Sequence, residues 1–433
     1  MTVSLRKLGL ALEASLALAV LASLAVSARF FVTNGYLPQP FVFDTNDTFM
    51  DWFNTAYWSN HKGMYEVWRS IYPPLSFVFL DAFSLPGCYL QSPFHARDCD
   101  WAGRSMILAC YVLDVALLWF SFRRSDPATA PMRTVAMALG LPLLFTLERG
   151  NLILACLAPF ILAHGPVLRS VWGRGFAAAL TINFKPYLLL PVLALAVRRD
   201  WRMLERAGIA TVAIFCLTLA LTGAGTPLEI AANTANWIQF QSTQVWGEIN
   251  YSTSYAPFME LRSAQVPLLE FVSSRTIETI EFAVPVTIRA TQVLALAALL
   301  ACWLQPRALG PARIATLLLG TYLVTQSPGG YTQTFLLFLV FLEPLQRPGQ
   351  ALAVLCAYLL CLVGDLPLAT VLHIQSNSWL SGQPVSPAFG LTLGQFVRPL
   401  IIIVIVWTLS LDTIAQVVRA HGRFRPSLGL AAA

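Results

Sequence analysis

The run LALEASLALAVLASLAVS, Leu10–Ser27, stands just behind Arg6 and Lys7. A helix needs roughly 20 apolar residues to cross a ~30 Å hydrocarbon core, and this run comes close to that length. Similar blocks recur at Val112–Phe120, Leu188–Val197, Leu294–Trp303 and Ile401–Leu409, separated by arginine clusters and Pro/Gly punctuation. About 10–12 such segments fit into the chain. Hydrophobic residues make up 57% of its 433 residues and charged ones 12%, with a mean hydropathy of +0.64. Soluble domains carry roughly a quarter charged residues. The sequence therefore predicts an all-α, polytopic integral membrane protein, a single membrane domain over 1–433 with no soluble catalytic domain left over. The first run resembles a signal peptide, but further spans follow it, so it reads as an uncleaved first span.

The net charge of +6 comes mostly from arginines beside apolar blocks, which is a topology signal. A nucleic-acid binder needs a continuous basic face, and none is present. The positive-inside rule counts Lys and Arg near span ends. It places on the cytoplasmic side Arg6/Lys7, Arg123/Arg124/Arg133, Arg169/Arg174, Arg198/Arg199/Arg202/Arg206, Arg307/Arg313, Arg347 and Arg419/Arg423/Arg425. The loops 29–71, 87–101, 148–151, 224–285, 328–332 and 365–396 then fall outside together. The location expected is the inner (plasma) membrane. Cys110, Cys156, Cys216, Cys302, Cys356 and Cys361 lie in apolar blocks and read as inert small hydrophobes. Cys88 and Cys99 bracket a polar loop; they are either two free thiols or a disulfide, which would require an oxidising side.

Two stretches depart from simple spanning. In 175–197, Asn183-Phe184-Lys185-Pro186 interrupts the apolar pattern, which predicts two half-helices meeting at Lys185. Such a break is tolerated only where it lines protein or a water cavity. Tyr72–Pro86 is short for a crossing and reads as re-entrant, with a full span as the alternative. Segments 44–71 and 233–255 are rich in Trp and Tyr interleaved with polar residues, the pattern of interfacial helices. Asp44-Thr45-Asn46-Asp47 reads as a turn and N-cap.

Asp44, Asp47 and Asp51 are spaced i, i+3, i+7, one face of a helix. Carboxylates facing an enclosed site repel one another, and one can be raised towards general-base duty; capping and solvated acids are the plainer reading. Arg149 and Lys185 stand at the outer apices, with Arg289 and Arg398 near outer span ends. Ionisable groups at such depth usually face a cavity, and a phosphate would suit a ring of them; snorkelling anchors are the alternative for Arg289 and Arg398. Asp81 and Asp114 read as intramembrane polar contacts. His61 and His373 are isolated, so a dedicated metal site is not expected, and there is no nucleotide-binding glycine loop. No cofactor is expected.

An acidic start to the first outer loop is followed by Gly63-x-Tyr65 and by Tyr72-Pro73-Pro74-Leu75. Then come Glu148-Arg149-Gly150-Asn151-Leu152, Lys185-Pro186-Tyr187, the basic Arg198-Arg199-Asp200-Trp201-Arg202, and Ser327-Pro328. In this order the pieces resemble glycosyltransferase family 87, the polyprenol-phosphate-mannose-dependent α-mannosyltransferase type of the GT-C superfamily, over roughly residues 40–345. The resemblance implies a GT-C-like fold with loops 29–71 and 224–285 roofing a cavity. It implies transfer of a sugar, mannose, from a polyprenyl-phosphate donor to a glycolipid or glycan acceptor on the extracytoplasmic side. It further implies an inverting displacement with an aspartate base. Asp47 best fits the family position, Asp51 nearly as well, and Asp44 is the third candidate. Lys185 and Arg149 would match the phosphate site; Tyr72 and Asn151 stand in the shared motifs. The family commonly has histidines after its Ser-Pro, where this chain has Gly329-Gly330-Tyr331-Thr332-Gln333, so Tyr331 and Gln333 are positional substitutes only. The loop with Cys88 and Cys99 is also longer than the family pattern. Rival readings are a transporter or flippase of lipid-linked sugars and an O-antigen-type ligase or polymerase.

Overall fold

Apolar runs with few charges form the long helices. A computed structural model of the chain describes residues 3–41, 46–240, 249–257, 273–326 and 328–423. Its helices are α1 (Val3–Asn34), α2 (Met50–Asn60), α3 (Pro74–Ala82), α4 (Pro93–Cys99), α5 (Trp101–Ser125), α6 (Ala130–Leu139), α7 (Leu141–Arg149), α8 (Ile153–His164) and α9 (Val171–Phe184). After these come α10 (Leu189–Val192), α11 (Ala194–Val197), α12 (Trp201–Thr222), α13 (Pro227–Phe240) and α14 (Ser274–Leu304). The last four are α15 (Pro311–Thr325), α16 (Gln333–Phe341), α17 (Pro348–Leu360) and α18 (Leu393–Arg423). Among the described residues six helical stretches are long and apolar enough to cross a membrane, and four shorter apolar ones lie between them. The protein is an all-α polytopic membrane protein, as its sequence predicts.

Helices that face lipid and helices that face protein differ in sequence pattern. Every residue of α16, from Gln333 to Phe341, is buried, as expected of a helix that is apolar all round. By contrast α12 leaves Ile209, Val212, Leu217 and Leu221 exposed, with Cys216 on that same open surface. The other five free cysteines are buried.

The interruption at Lys185 is a proline effect. Pro186 cannot donate a backbone hydrogen bond and pushes the residue before it out of helical geometry; Lys185 has φ −141° and ψ 103°. Thus α9 ends at Phe184 and a 3₁₀ turn over Pro186–Leu188 starts the descent through α10 and α11. Helix α3 has nine residues, about 14 Å of rise, too little to cross. It packs against α2, which also packs against α4. Cys88 and Cys99 form a disulfide with Cα atoms 5.6 Å apart, tying the turn Pro86–Tyr89 to the end of α4.

Several expectations need correction. In the aromatic segment Trp52, Phe53 and Tyr65 are buried in protein. Tyr251 of 233–255 is buried as well. Asp81 is exposed at the end of α3, whereas Asp114 is fully buried. The loop 365–396 carries two antiparallel ladders, β1 (Pro367–His373) with β4 (Ala388–Thr392) and β2 (Ser376–Asn377) with β3 (Pro384–Val385).

Arg133 and Arg313 are not loop cations. Arg133 is buried and grips Glu13 of α1 through Nε (2.9 Å) and Nη2 (2.8 Å), while the Tyr358 hydroxyl donates to the same carboxylate. Arg313 grips Glu343 at 2.6 and 2.5 Å and reaches Asp412 of α18 at 3.0 Å. The first and last helices are thus tied into the same end of the bundle.

Candidate active site

Two backbone features seat the first acidic segment on the end of α7. Gly150 closes α7 in the left-handed region (φ 61°), where a non-glycine residue costs about 1–2 kcal/mol. Phe49, also left-handed (φ 63°), donates its N–H to the Glu148 carbonyl at 2.7 Å. A Cβ on Gly150 would stand 3.0 Å from Phe49 Cα, so the glycine permits the close approach. Thr48 donates to Glu148 Oε1 (3.1 Å), and Glu148 Oε2 is buried without a partner. From the other side Arg97 of α4, itself buried, donates to the carbonyls of Asn46 and of Thr48 (3.2 Å).

This docking brings Asp47, Asp51 and Arg149 together. The guanidinium of Arg149 donates to Asp47 Oδ2 and, at 3.1 Å, to Asp51 Oδ1. Asn151 donates to Asp51 Oδ2 at 2.7 Å. Both carboxylate oxygens of Asp51 are thereby engaged, and its side chain is 21% exposed against 30% for Asp47. The expected single helical face is not formed: α2 begins at Met50, so Asp51 lies in its first turn and Asp47 precedes it. Phe49 occupies the cap position of α2, and its side chain makes no cap hydrogen bond. Asp44 lies outside the described residues. Arg149, expected at a phosphate, is instead the cation between two carboxylates.

Lys185 sits differently. It is 8% exposed, and its ammonium lies 4.3 Å from the centroid of the Tyr72 ring. Among the described residues no carboxylate lies within ion-pair distance of it. Lys185 lines a cavity of about 300 Å³ together with Arg69, Tyr72, Tyr187, Tyr331, Trp58 and Trp68. Beside it runs an apolar groove of about 570 Å³ between α10, α14 and α15, lined by Leu190, Leu296, Leu299 and Tyr322. The Tyr187 and Tyr322 rings stack at 5.3 Å, so they form a common wall of the two spaces.

The remaining candidates are placed less centrally. Tyr331 lines the Lys185 cavity and stacks on Phe145 of α7 (6.2 Å). Gln333 is buried at the start of α16, with neither side-chain polar atom hydrogen-bonded. Arg398 is buried, pairs with Asp365, and lies 5.0 Å over the Tyr251 ring. Burial raises the Tyr251 phenol above its ordinary range, against the pull of Arg398. Arg289 is exposed on α14 and is brought to none of these groups. Ser327 lies outside the described residues. Glu148 stood in a quoted motif and Trp58 and Trp68 in the aromatic segment, without a role at the site; Arg97, Thr48 and Asp365 were not singled out at all. Only Arg97 carried a signal, standing between the two loop cysteines.

The acidic cluster and the Lys185 cavity are joined by α2. Asp51 in its first turn and Trp58 near its end are seven residues apart, on one face and separated by about 10 Å of rise. A family model of glycosyltransferase family 87 matches residues 71–328, more than half of the chain. The chain belongs to glycosyltransferase family 87. No curated protein and no solved structure matches it. The matched stretch of this glycosyltransferase includes Tyr72, Arg149, Asn151, Lys185 and Arg289. Asp47 and Asp51 precede it, and the structure joins them to it through Arg149 and Asn151.

Proposed function

We propose that this family 87 glycosyltransferase moves a sugar, mannose by its resemblance, from a polyprenyl phosphate to a glycolipid or glycan hydroxyl. The reaction takes place at the extracytoplasmic face of the inner membrane. The observation that carries the reading is Lys185: a buried cation beside an open cavity, with an aromatic ring next to it and, among the described residues, no carboxylate within ion-pair distance. A buried charge without a counter-ion is costly, and an anionic ligand removes that cost. A donor phosphate at Lys185 places its isoprenoid tail along the apolar groove that shares the Tyr187–Tyr322 wall. The disulfide, which needs an oxidising compartment, and the arginines at the opposite span ends support this side of the membrane.

The chemistry is a single inverting displacement. The acceptor oxygen attacks the anomeric carbon, and the bond from that carbon to the phosphate oxygen breaks with its electron pair leaving on the phosphate. Lys185 offsets the charge of the departing polyprenyl phosphate, and a carboxylate takes the acceptor proton. Asp47 is the better base by its greater exposure, 30% against 21%, and Asp51 serves to position Arg149. Family membership favours transfer over transport. The test is incubation of purified protein with defined polyprenyl-phosphate sugars and an acceptor lipid extract. Labelled product with release of polyprenyl phosphate is expected; transbilayer movement of the donor without product would overturn the reading.

A further inference from the structure

We propose that Trp58 and Trp68 form a stacking wall that holds the pyranose ring of the donor sugar. The proposal rests on the donor reading above and deepens it. Both tryptophans line the cavity that Lys185 also lines, and both are partly exposed. Their planes lie within 16° of parallel, with centroids 6.3 Å apart. Trp68 is fixed from behind by edge contacts to Tyr57 (6.1 Å) and His61 (6.3 Å), which stack on each other at 4.0 Å. The loop itself is tight: the Gly63 carbonyl accepts from the N–H groups of Val67 and Trp68, and Ser70 donates to Met64. The Trp68 ring lies over Gly63, where a Cβ would come within 2.6 Å of it. An aromatic wall held this firmly, yet left open to a cavity, is suited to a ligand face.

The chemistry of that face follows from the neighbouring cation. Whatever is bonded to a phosphate at Lys185 must occupy the rest of the same space, about 300 Å³. That volume is at the small end for ligand pockets, suited to a monosaccharide phosphate. A pyranose presents C–H groups on one face, and their partial positive charge complements the negative face of an indole. Its hydroxyls then point away from the wall. Helix α2, which supplies Trp58, also carries Asp51 on the same face, so the ring held at the wall is presented towards the acidic cluster.

Calorimetric titration of the full-length protein in detergent tests this, using farnesyl phosphate and a panel of hexosyl farnesyl phosphates. At least one hexosyl compound should bind more tightly than farnesyl phosphate itself. Trp68→Leu and Trp58→Leu should each reduce that sugar-dependent gain by about 2- to 12-fold, the size of an aromatic contact. Affinity for bare farnesyl phosphate should stay within about twofold. Trp68→Phe, which keeps a ring against Gly63, should retain part of the gain; it also stands in if Trp68→Leu does not fold. Equal losses for bare and sugar-bearing ligands would overturn the stacking wall, and so would the absence of any sugar-dependent gain in the unaltered protein. Failure of the unaltered protein to bind even bare farnesyl phosphate would instead overturn the donor reading on which the wall depends.

Discussion

Asp47 and Asp51 bind the same guanidinium, yet they are held in different ways, and their variants should differ accordingly. Asp47→Asn keeps a hydrogen-bond acceptor for Arg149 but cannot take a proton. A positioned base contributes about 10²–10⁴-fold, so turnover should drop by that factor while donor affinity stays nearly intact. Asp51→Asn should cost less, since Asn151 and Arg149 still fix the residue. The reverse ranking, read from initial rates, would transfer the base to Asp51. Lys185→Met retains most of the stem without the charge. Losing a charge-assisted hydrogen bond worth roughly 1.5–3 kcal/mol predicts a 10- to 150-fold weaker donor affinity by titration; an unchanged value in folded protein would refute the phosphate site. These residues were legible in the sequence because an acid at a loop start and a lysine beside a proline break are local signals. The role of Arg149 was not, because its carboxylate partners lie 102 and 98 positions away.

At the scale of elements, the site depends on how the 46–50 segment is pinned between α7 and α4. Gly150→Ala combines a left-handed backbone with a Cβ pressed on Phe49, so it should destabilise by about 1–2 kcal/mol. Activity should fall further than the folded fraction does, because Asp47 is moved away from Arg149; activity that tracks the melting curve alone would refute this. The disulfide acts on the same segment from the other side, through Arg97 on α4. Cys88→Ser with Cys99→Ser should cost about 3 kcal/mol in the chain-entropy picture, measured by melting with and without reductant. The half-helix break and the shortness of α3 were readable from proline and from the length of the apolar run. The ladders of 365–396 were not: β2 and β3 have two residues each and β1 is irregular, too short for alternation to register.

For the molecule as a whole, the orientation to be tested is the one drawn from the arginines at the span ends. Single-cysteine labelling at exposed positions checks it: Gln91→Cys should react with an impermeant reagent in intact cells and Ser125→Cys should not. What the arginine pattern hid is that Arg133 and Arg313 are buried and paired. Charge counting sees only sign and position, whereas pairing depends on which helices become neighbours. Glu13→Gln leaves Arg133 without its bidentate carboxylate, and breaking a buried pair costs about 3–5 kcal/mol. A matching drop in apparent melting temperature is expected, with partial recovery when Arg133→Met is added.

The Glu13–Arg133 pair also bears on how the protein is made. Ribosomes deliver the chain from its N-terminus, so Glu13 enters the bilayer about 120 residues before its partner has been synthesised. A carboxylate among hydrocarbon costs a few kcal/mol on insertion scales. The first span is therefore a poor free-standing anchor during that interval, and a ribosome-arrested fragment ending before α6 should be extracted from membranes more readily than one ending after it. Arg313 and Asp412 repeat the situation at the far end of the chain, where final locking of the bundle must wait for the last helix to arrive.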